Sequence, residues 1–139
     1  MKQRIAHIAL VVGDYDNAIK FYIEKLNFTL VEDTVLSETK RWVLIKPPGS
    51  IDPTANGTCL LLAKAADKEQ KSRIGNQTGG RVFLFLYTDD LRRDHKSMQE
   101  KGVVFVREPV VESYGTVAVF KDLYGNLWDL IEPKVFNSN

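Results

Sequence analysis

The chain has 139 residues, of which 44% are hydrophobic and 27% charged, values typical of one globular domain with a real core rather than of a disordered or membrane protein. Its 19 basic and 18 acidic residues give a net charge of +1, which offers no electrostatic reason to expect nucleic acid as a partner. A single cysteine, Cys59, excludes an intrachain disulfide and suits a reducing compartment, and no apolar run is long enough to span a bilayer. We therefore expect a cytoplasmic protein that binds neither nucleic acid nor membrane.

The first half of the chain predicts a strand, a helix and three further strands. Asp14 or Asp16 can accept from the free amides of a first helical turn, and apolar residues recur after it at three- and four-residue steps, which predicts a helix. Apolar runs rich in β-branched residues predict the strands, at 5–12, 28–35, 41–46 and 58–63. Prolines break the chain before the last of these strands, at 47–49 and 52–53.

The second half repeats this order. A short helix over 65–73 and a glycine-rich hinge over 75–80 are expected to connect the halves. Asp89 or Asp90 then precedes a second long helix, predicted over 91–101. The strands of this half are predicted at 81–87, 103–107, 115–121 and 127–132. Before the last strand, the Asp122-Leu123-Tyr124-Gly125-Asn126 segment predicts a turn whose amides Asp122 caps.

Matching spacings make the two halves copies of one β-α-β-β-β unit. Asp14 to Asn27 spans 13 positions, and Asp89 to Gly102 also spans 13. Each unit has one sheet covered on one face by its helix, so the other face needs a partner. We therefore predict an α/β (α+β) chain of two tandem βαβββ modules, which form a concave half-barrel of mixed sheet with the helices outside. The single domain, 1–139, is expected to divide into repeat one, linker and repeat two at about 4–64, 65–80 and 81–133.

Several segments of the chain carry a family resemblance. They are His7–Asp14, Ala18–Tyr22, Leu26-Asn27-Phe28, Thr88–Leu91, Lys101-Gly102-Val103 and, above all, Lys121–Leu130. With them the chain resembles the vicinal oxygen chelate superfamily, which includes glyoxalase I, extradiol dioxygenases, and the bleomycin and fosfomycin resistance proteins. That fold hosts metal lyases, dioxygenases, epimerases and metal-free drug binders, so function has to be argued from the site. The resemblance also implies a homodimer, because family members often complete their pockets with the second subunit.

In the metal-dependent members, the resemblance implies one metal ligand from the first strand and one from the last strand of each copy. Carried over by position, the four places are His7, Leu61, Phe83 and Asp129. Leucine and phenylalanine donate no lone pair, whereas a catalytic divalent metal normally keeps about three protein ligands. A further ligand would have to come from a second subunit or from one of three carboxylates: Asp33, Glu112 and Glu132. We therefore assign no cofactor, with a divalent metal (Zn, Ni, Mn or Fe) held by His7 and Asp129 as the alternative.

Four residues, His7, Asp129, Arg41 and Trp42, have roles that the sequence leaves open. His7 is either a wall or core histidine with one hydrogen-bond partner, or a histidine that contacts a ligand or binds a metal. Asp129 lies among apolar residues, where a carboxylate has to be paired or open to a cavity, and this favours a functional role. Arg41 and Trp42 could clamp an anionic or aromatic ligand, or could be solvent-exposed and core residues, respectively.

Aromatic and imidazole side chains in the second half could also be structural or could contact a ligand. Phe83, Phe85 and Tyr87 alternate onto one face of their strand, which either lines the concave surface or packs against the helix. Packing against the helix is slightly favoured. His95 lies on the apolar side of the second helix, and a structural role is expected for it.

The sequence thus predicts a glyoxalase- or bleomycin-resistance-like protein that holds a small organic ligand in a concave pocket, with no obligatory metal. The expected pocket residues are His7, Trp42, Leu61, Phe83 and Asp129, of which His7 and Asp129 anchor polar ligand groups. No catalytic residue is assigned. The alternatives are a divalent-metal-dependent lyase or dioxygenase with an incomplete or substituted ligand set, and a structural module with no ligand.

Overall fold

The computed structural model describes residues 1–49 and 57–134. The chain divides into two compact units, Met1–Ile74 and a second unit that begins at Gly75. The boundary falls inside the segment 65–80 that the sequence predicts as a linker. Each unit contains one four-stranded sheet. The predicted chain break at Asp52 and Pro53 lies outside the described residues.

The first unit has the predicted order of elements. They are β1 (His7–Val12), α1 (Tyr15–Lys20), a π-helical turn (Phe21–Lys25), β2 (Thr29–Val35), β3 (Arg41–Lys46), β4 (Cys59–Lys64) and α2 (Lys68–Ser72). The sheet order is β1-β4-β3-β2, with β1 and β4 parallel and the other pairs antiparallel. The helical segment therefore connects β1 and β2, which lie at the two edges of the sheet, and the chain returns through β3 to place β4 beside β1.

The second unit repeats this arrangement. Its elements are β5 (Val82–Tyr87), α3 (Leu91–Glu100), β6 (Phe105–Glu112), β7 (Gly115–Lys121) and β8 (Leu127–Pro133). The sheet order is β5-β8-β7-β6, again with the first and last strands parallel and the others antiparallel. The same connectivity in both units confirms the predicted fold class, an α+β chain of two tandem βαβββ modules.

Each sheet buries the face that its helix covers. In the first unit Leu10, Leu62 and Val43 occupy one row across β1, β4 and β3 and are almost fully buried, and α1 packs on β3 and β4. In the second unit the rings of Phe105, Phe120 and Trp128 form a continuous aromatic row on the side of α3. Because side chains alternate along a strand, the intervening residues lie on the opposite face. We call this opposite face the far face of each sheet.

The helical segment of the first unit, α1 together with the π-helical turn, is one residue longer than α3. The caps are Asp14, whose carboxylate accepts from the amide of Asn17 at 2.8 Å, and Asp90, whose carboxylate accepts from the amide of Arg93 at 3.0 Å. Both helices end before a residue with positive φ, Asn27 at 60° and Gly102 at 89°. The match of Asp14 with Asp89 was therefore wrong by one position, and the first helix is one residue longer. The π-helical turn accommodates that extra residue.

Strand β6 is longer than predicted. The prediction ended it at Arg107, two residues before Pro109, and proline cannot donate to a ladder. In the structure it continues to Glu112, and its pairing with β7 shifts register between Arg107 and Val110. The irregularity places Pro109 where no regular ladder bond is needed.

The turn before β8 has the predicted cap. Asp122 is 5% exposed, and its carboxylate accepts from the amides of Tyr124 and Asn126 at 3.0 and 2.9 Å, and from Asn126 Nδ2 at 2.9 Å. Gly125 supplies the positive φ of the turn, at 99°. These bonds confirm the structural role predicted for Asp122 and determine where β8 begins.

Within residues 1–49 and 57–134, no helix is both long enough and apolar enough to cross a membrane.

Candidate ligand-binding site

Three of the five predicted pocket residues lie together on the far face of the first unit. The His7 imidazole is exposed and meets the Trp42 ring edge to face, with the ring centroids 5.9 Å apart. Strand β4 lies between their two strands, and Leu61 on β4 pairs with Ala9 and with Leu44. Trp42 and Leu61 are half-buried. The result is a patch of one imidazole, one indole and one aliphatic side chain.

Arg41, which precedes Trp42, is held in a network of its own. Its guanidinium donates to both carboxylate oxygens of Asp33, at 3.1 and 2.6 Å, and to Asp16 at 2.9 Å. It also lies over the Tyr15 ring, 5.1 Å from the centroid. The hydrogen bonds that Arg41 donates to Asp33 and Asp16 raise its pKa above the ordinary value. Arg41 therefore ties α1, β2 and β3 together, a role that neither sequence alternative included.

Asp129 lies on the far face of the second unit, in a row that crosses all four strands. It pairs with Phe85 on β5 and with Val119 on β7, and Val119 in turn pairs with Arg107 on β6. Burial raises the pKa of the Asp129 carboxyl above its ordinary value, while the positive charge of Arg107 acts in the opposite direction. A carboxyl with a raised pKa can take part in a hydrogen bond either as donor or as acceptor.

The aromatic side chains of β5 are divided between two environments. Phe85 and Tyr87 are each 63% exposed, so packing against the helix was the wrong expectation for them. The reason is that alternation identifies residues that share a face but not which face the helix covers. A register shift between Val82 and Leu84 makes Phe83 an extra residue in β5. The Phe83 ring meets Trp128 edge to face, with centroids 6.3 Å apart, next to the helix-side aromatic row.

The residues present do not fit the metal that the fold family implies. Leu61 and Phe83 occupy two of the four positions and carry no donor atom. The three carboxylates that could complete the set have other partners: Asp33 binds Arg41, Glu112 binds Arg107 at 3.1 Å, and Glu132 accepts from the Leu91 amide at 2.8 Å. Within the part of the chain that the structure describes, no group of three or more His, Cys, Asp or Glu side chains could hold a metal ion.

His95 has the structural contacts expected of it. Its Nε2 lies 2.7 Å from a carboxylate oxygen of Glu108, and its ring meets Phe105 edge to face at 4.6 Å. These contacts join α3 to β6 on the helix side, away from the far-face row. Cys59 is buried in β4.

A cavity of about 640 Å³ in the first unit was not foreseen from the sequence. Trp42 and Leu61 line it, together with residues outside the predicted set, among them Lys40, Lys64 and Gln70. The available signal was the run Ala63-Lys64-Ala65-Ala66 at the end of a strand, since small side chains leave space beside an aromatic neighbour.

Comparisons with known proteins agree with this architecture. The family model of the Glyoxalase/Bleomycin resistance protein/Dioxygenase superfamily matches residues 4–130. An uncharacterized protein of Shewanella frigidimarina (strain NCIMB 400) is 62% identical over 133 residues, which cover 95% of each chain. The crystal structure of UcmS2 has a TM-score of 0.80 at 30% identity, covering 95% of this chain and 99% of that one.

An antibiotic binding protein is also among the similar structures. TnmS3 from Streptomyces sp. CB03234 has a TM-score of 0.73 at 28% identity, covering 96% of this chain and 98% of that one. The family match spans both βαβββ modules. The chain therefore belongs to the Glyoxalase/Bleomycin resistance protein/Dioxygenase superfamily, as the sequence resemblance predicted.

Proposed function

We propose that this protein binds a small organic molecule on the far face of a sheet, without requiring a metal. The observation that carries the proposal is the exposure of Phe85 and Tyr87, each 63%, on the far face that also presents Asp129. The likeness to TnmS3, an antibiotic binding protein, supports a ligand of antibiotic size.

Exposed aromatic rings next to a polar anchor are characteristic of ligand sites. Removing such a ring from water contributes about 2 kcal/mol, and stacking on a planar ligand adds to this. His7 and Trp42 provide the same combination on the far face of the first unit. In this proposal the polar anchor on the far face of the first unit is His7, beside Trp42 and Leu61. The polar anchor on the far face of the second unit is Asp129, beside Phe85 and Tyr87. Ligand contact by Phe83 stays a prediction.

A metal-dependent lyase or dioxygenase is less well supported. Both would need a metal with open coordination positions, and Leu61 and Phe83 remove two of the four positions from which ligands are expected. The predicted homodimer and cytoplasmic location stay predictions, and the mass of the purified protein in solution tests the first of them.

The test is ligand binding with and without metal. A panel of planar aromatic antibiotics and smaller organic compounds is screened by thermal shift in EDTA, and again with Mn²⁺, Ni²⁺, Zn²⁺ or Fe²⁺, and calorimetry follows each hit. We expect at least one compound to stabilise the protein in EDTA. Phe85→Ala should weaken its binding about tenfold, the equivalent of 1.4 kcal/mol.

Leu123→Ala serves as the matched control. Leu123 is also an exposed apolar side chain, at 43%, but it lies in the turn before β8 rather than on a far face. It should leave the affinity unchanged within a factor of two. Stabilisation only in the presence of a metal, or by no compound in the panel, would overturn the proposal.

A further inference from the structure

The cavity of the first unit lies where β3 begins and β4 ends. These strands run antiparallel with Val43 opposite Leu62, so the start of one and the end of the other meet at the same edge of the sheet. The volume, about 640 Å³, is within the range of sites for drug-sized molecules. Alanines at 63, 65 and 66 line it, and their small side chains leave this space unfilled.

Two aromatic side chains, Trp42 and Tyr15, line the cavity. Trp42 is half-buried, and its indole is already positioned by the edge contact with His7. Tyr15 is buried, and its hydroxyl accepts from the amide of Arg41 at 3.2 Å. Two aromatic rings held by their own contacts lose little freedom when a planar molecule packs against them, which favours such a ligand.

The charge around the cavity is positive. The lining residues that the structure describes include Lys40, Arg41 and Lys64 but no aspartate or glutamate. Asp33 and Asp16 neutralise Arg41 from outside the cavity. Lys40 and Lys64 are exposed, and the ion pairs found among residues 1–49 and 57–134 involve neither of them. Two ammonium groups without an acidic neighbour in the lining favour an anion at the rim.

We propose that this cavity takes a planar aromatic anion, a fused or linked ring system that carries a carboxylate or sulfonate. The rings lie against Trp42 and Tyr15, and the anionic group meets the ammonium groups of Lys40 and Lys64. This inference goes beyond the proposed function, because it names a separate place of binding, which shares Trp42 and Leu61 with the far face of the first unit, and the residues that select the charge of its ligand.

Two fluorescent probes of nearly equal shape test the charge requirement. 8-Anilino-1-naphthalenesulfonate carries one sulfonate, and N-phenyl-1-naphthylamine is the same molecule without it. We expect the sulfonate probe to bind saturably, one per chain, and at least tenfold more tightly than the neutral probe. In Lys40→Gln/Lys64→Gln the sulfonate probe should lose about tenfold in affinity, and the neutral probe less than twofold.

Two further variants complete the experiment. Lys96→Gln/Lys121→Gln makes the same change in net charge in the second unit, at exposed residues that do not line the cavity, and should leave both probes unaffected within twofold. Ala66→Leu places a larger side chain in the lining and should weaken both probes. Probe competition by a hit from the antibiotic panel then tests whether both use this cavity.

The outcomes separate this inference from the proposed function. Equal affinity for the two probes, equal losses in the two lysine double variants, or no saturable probe binding would each overturn the anionic ligand class. If panel compounds still bind in EDTA and depend on Phe85, the proposed function survives that result. If no panel compound binds, the proposed function fails, whatever the probes do.

Discussion

The row of residues that contains Asp129 in the second unit has a counterpart in the first. Across β5, β8, β7 and β6 the second row reads Phe85, Asp129, Val119 and Arg107. Across β1, β4, β3 and β2 the first row reads Ala9, Leu61, Leu44 and Glu32.

The two rows place their carboxylates differently, although the strand order is the same. In the first unit the acid is Glu32 on the edge strand, where it is exposed and accepts from the Thr34 hydroxyl at 2.9 Å. In the second unit the acid is Asp129 on an inner strand, where burial raises its pKa. A charge on an exposed edge strand costs little stability. A partly buried charge on an inner strand lowers stability unless a hydrogen bond or an opposite charge compensates it. The contrast supports the proposal that Asp129, on the far face of the second unit, is a polar anchor for a ligand.

Placing an acid at the matching inner position of the first unit should have the largest effect. Leu61→Asp introduces a carboxylate between Ala9 and Leu44 and should lower the free energy of unfolding by about 3 kcal/mol at neutral pH. Asparagine has the shape of aspartate without its charge, so Leu61→Asn should lower the free energy of unfolding by less. The free energies of the two variants should become equal in acid, where the aspartate is protonated. Urea unfolding measures both. A loss below about 1 kcal/mol for Leu61→Asp would show that the two inner positions are equally polar.

Removing Arg41 should lower the free energy of unfolding more than removing Arg93. Arg41 binds Asp16 and Asp33 on other elements and has a side chain 23% exposed, whereas Arg93 binds its near neighbours Asp89 and Asp94 and is 57% exposed. Arg41→Ala should therefore cost about 2 kcal/mol and Arg93→Ala less than about 0.5 kcal/mol. Equal losses in chemical denaturation would contradict the view that Arg41 joins separate elements.

Asp129→Asn should stabilise the protein in a pH-dependent way. The pKa of Asp129 is raised in the fold, so the native state holds its proton more tightly than the unfolded chain does, and stability falls as pH rises above the ordinary aspartate range near about 4. Removing the charge should raise the melting temperature by a few degrees at pH 7, with no gain below about pH 4. Glu38→Gln, at an exposed carboxylate, is the control and should show no gain. A gain that is the same at both pH values would sink this account.

Phe85→Ala should have the smallest effect on stability. Its ring is 63% exposed, so the free energy of unfolding should change by less than about 0.5 kcal/mol. Leu84→Ala, one residue earlier and paired with Trp128 on the helix side, should cost about 2 kcal/mol. The contrast between adjacent residues checks which face of β5 the helix covers, and it shows that Phe85→Ala is a sound probe of ligand binding.

Much of the fold was accessible from periodicity and local chemistry. The ranges Arg41–Lys46 and Gly115–Lys121 were predicted to the residue, because turn-forming residues bound both apolar runs. The cap at Asp122 followed from the known preference of aspartate in turns. What failed depended on pairing between distant strands. The register of β5 with β8, which sets Phe83 apart from Phe85, follows from neither strand alone.

The site was less accessible than the fold for the same reason. His7 and Trp42 meet only because β4 lies between their strands, a relation that spacing along the chain does not contain. The network of Arg41 joins residues 25 and 8 positions away. The sequence identified Asp129 because a carboxylate among apolar residues is conspicuous. The cavity beside Trp42 was missed because alanines line it, and alanines do not stand out in a sequence.

The π-helical turn at Phe21–Lys25 limits how far the two modules can be exchanged. The first helical segment has one residue more than α3, and each α-helical residue turns the side-chain direction by about 100°. A helix from one half therefore cannot replace the helix of the other half without turning the residues that follow it. Replacing the turn with regular α-helix of the same length would swing Leu26 and Asn27 away from their present directions. Deleting one residue between Lys20 and Leu26 should instead yield a plain helix on the pattern of α3, the shortest route from this duplicated protein to one with interchangeable halves.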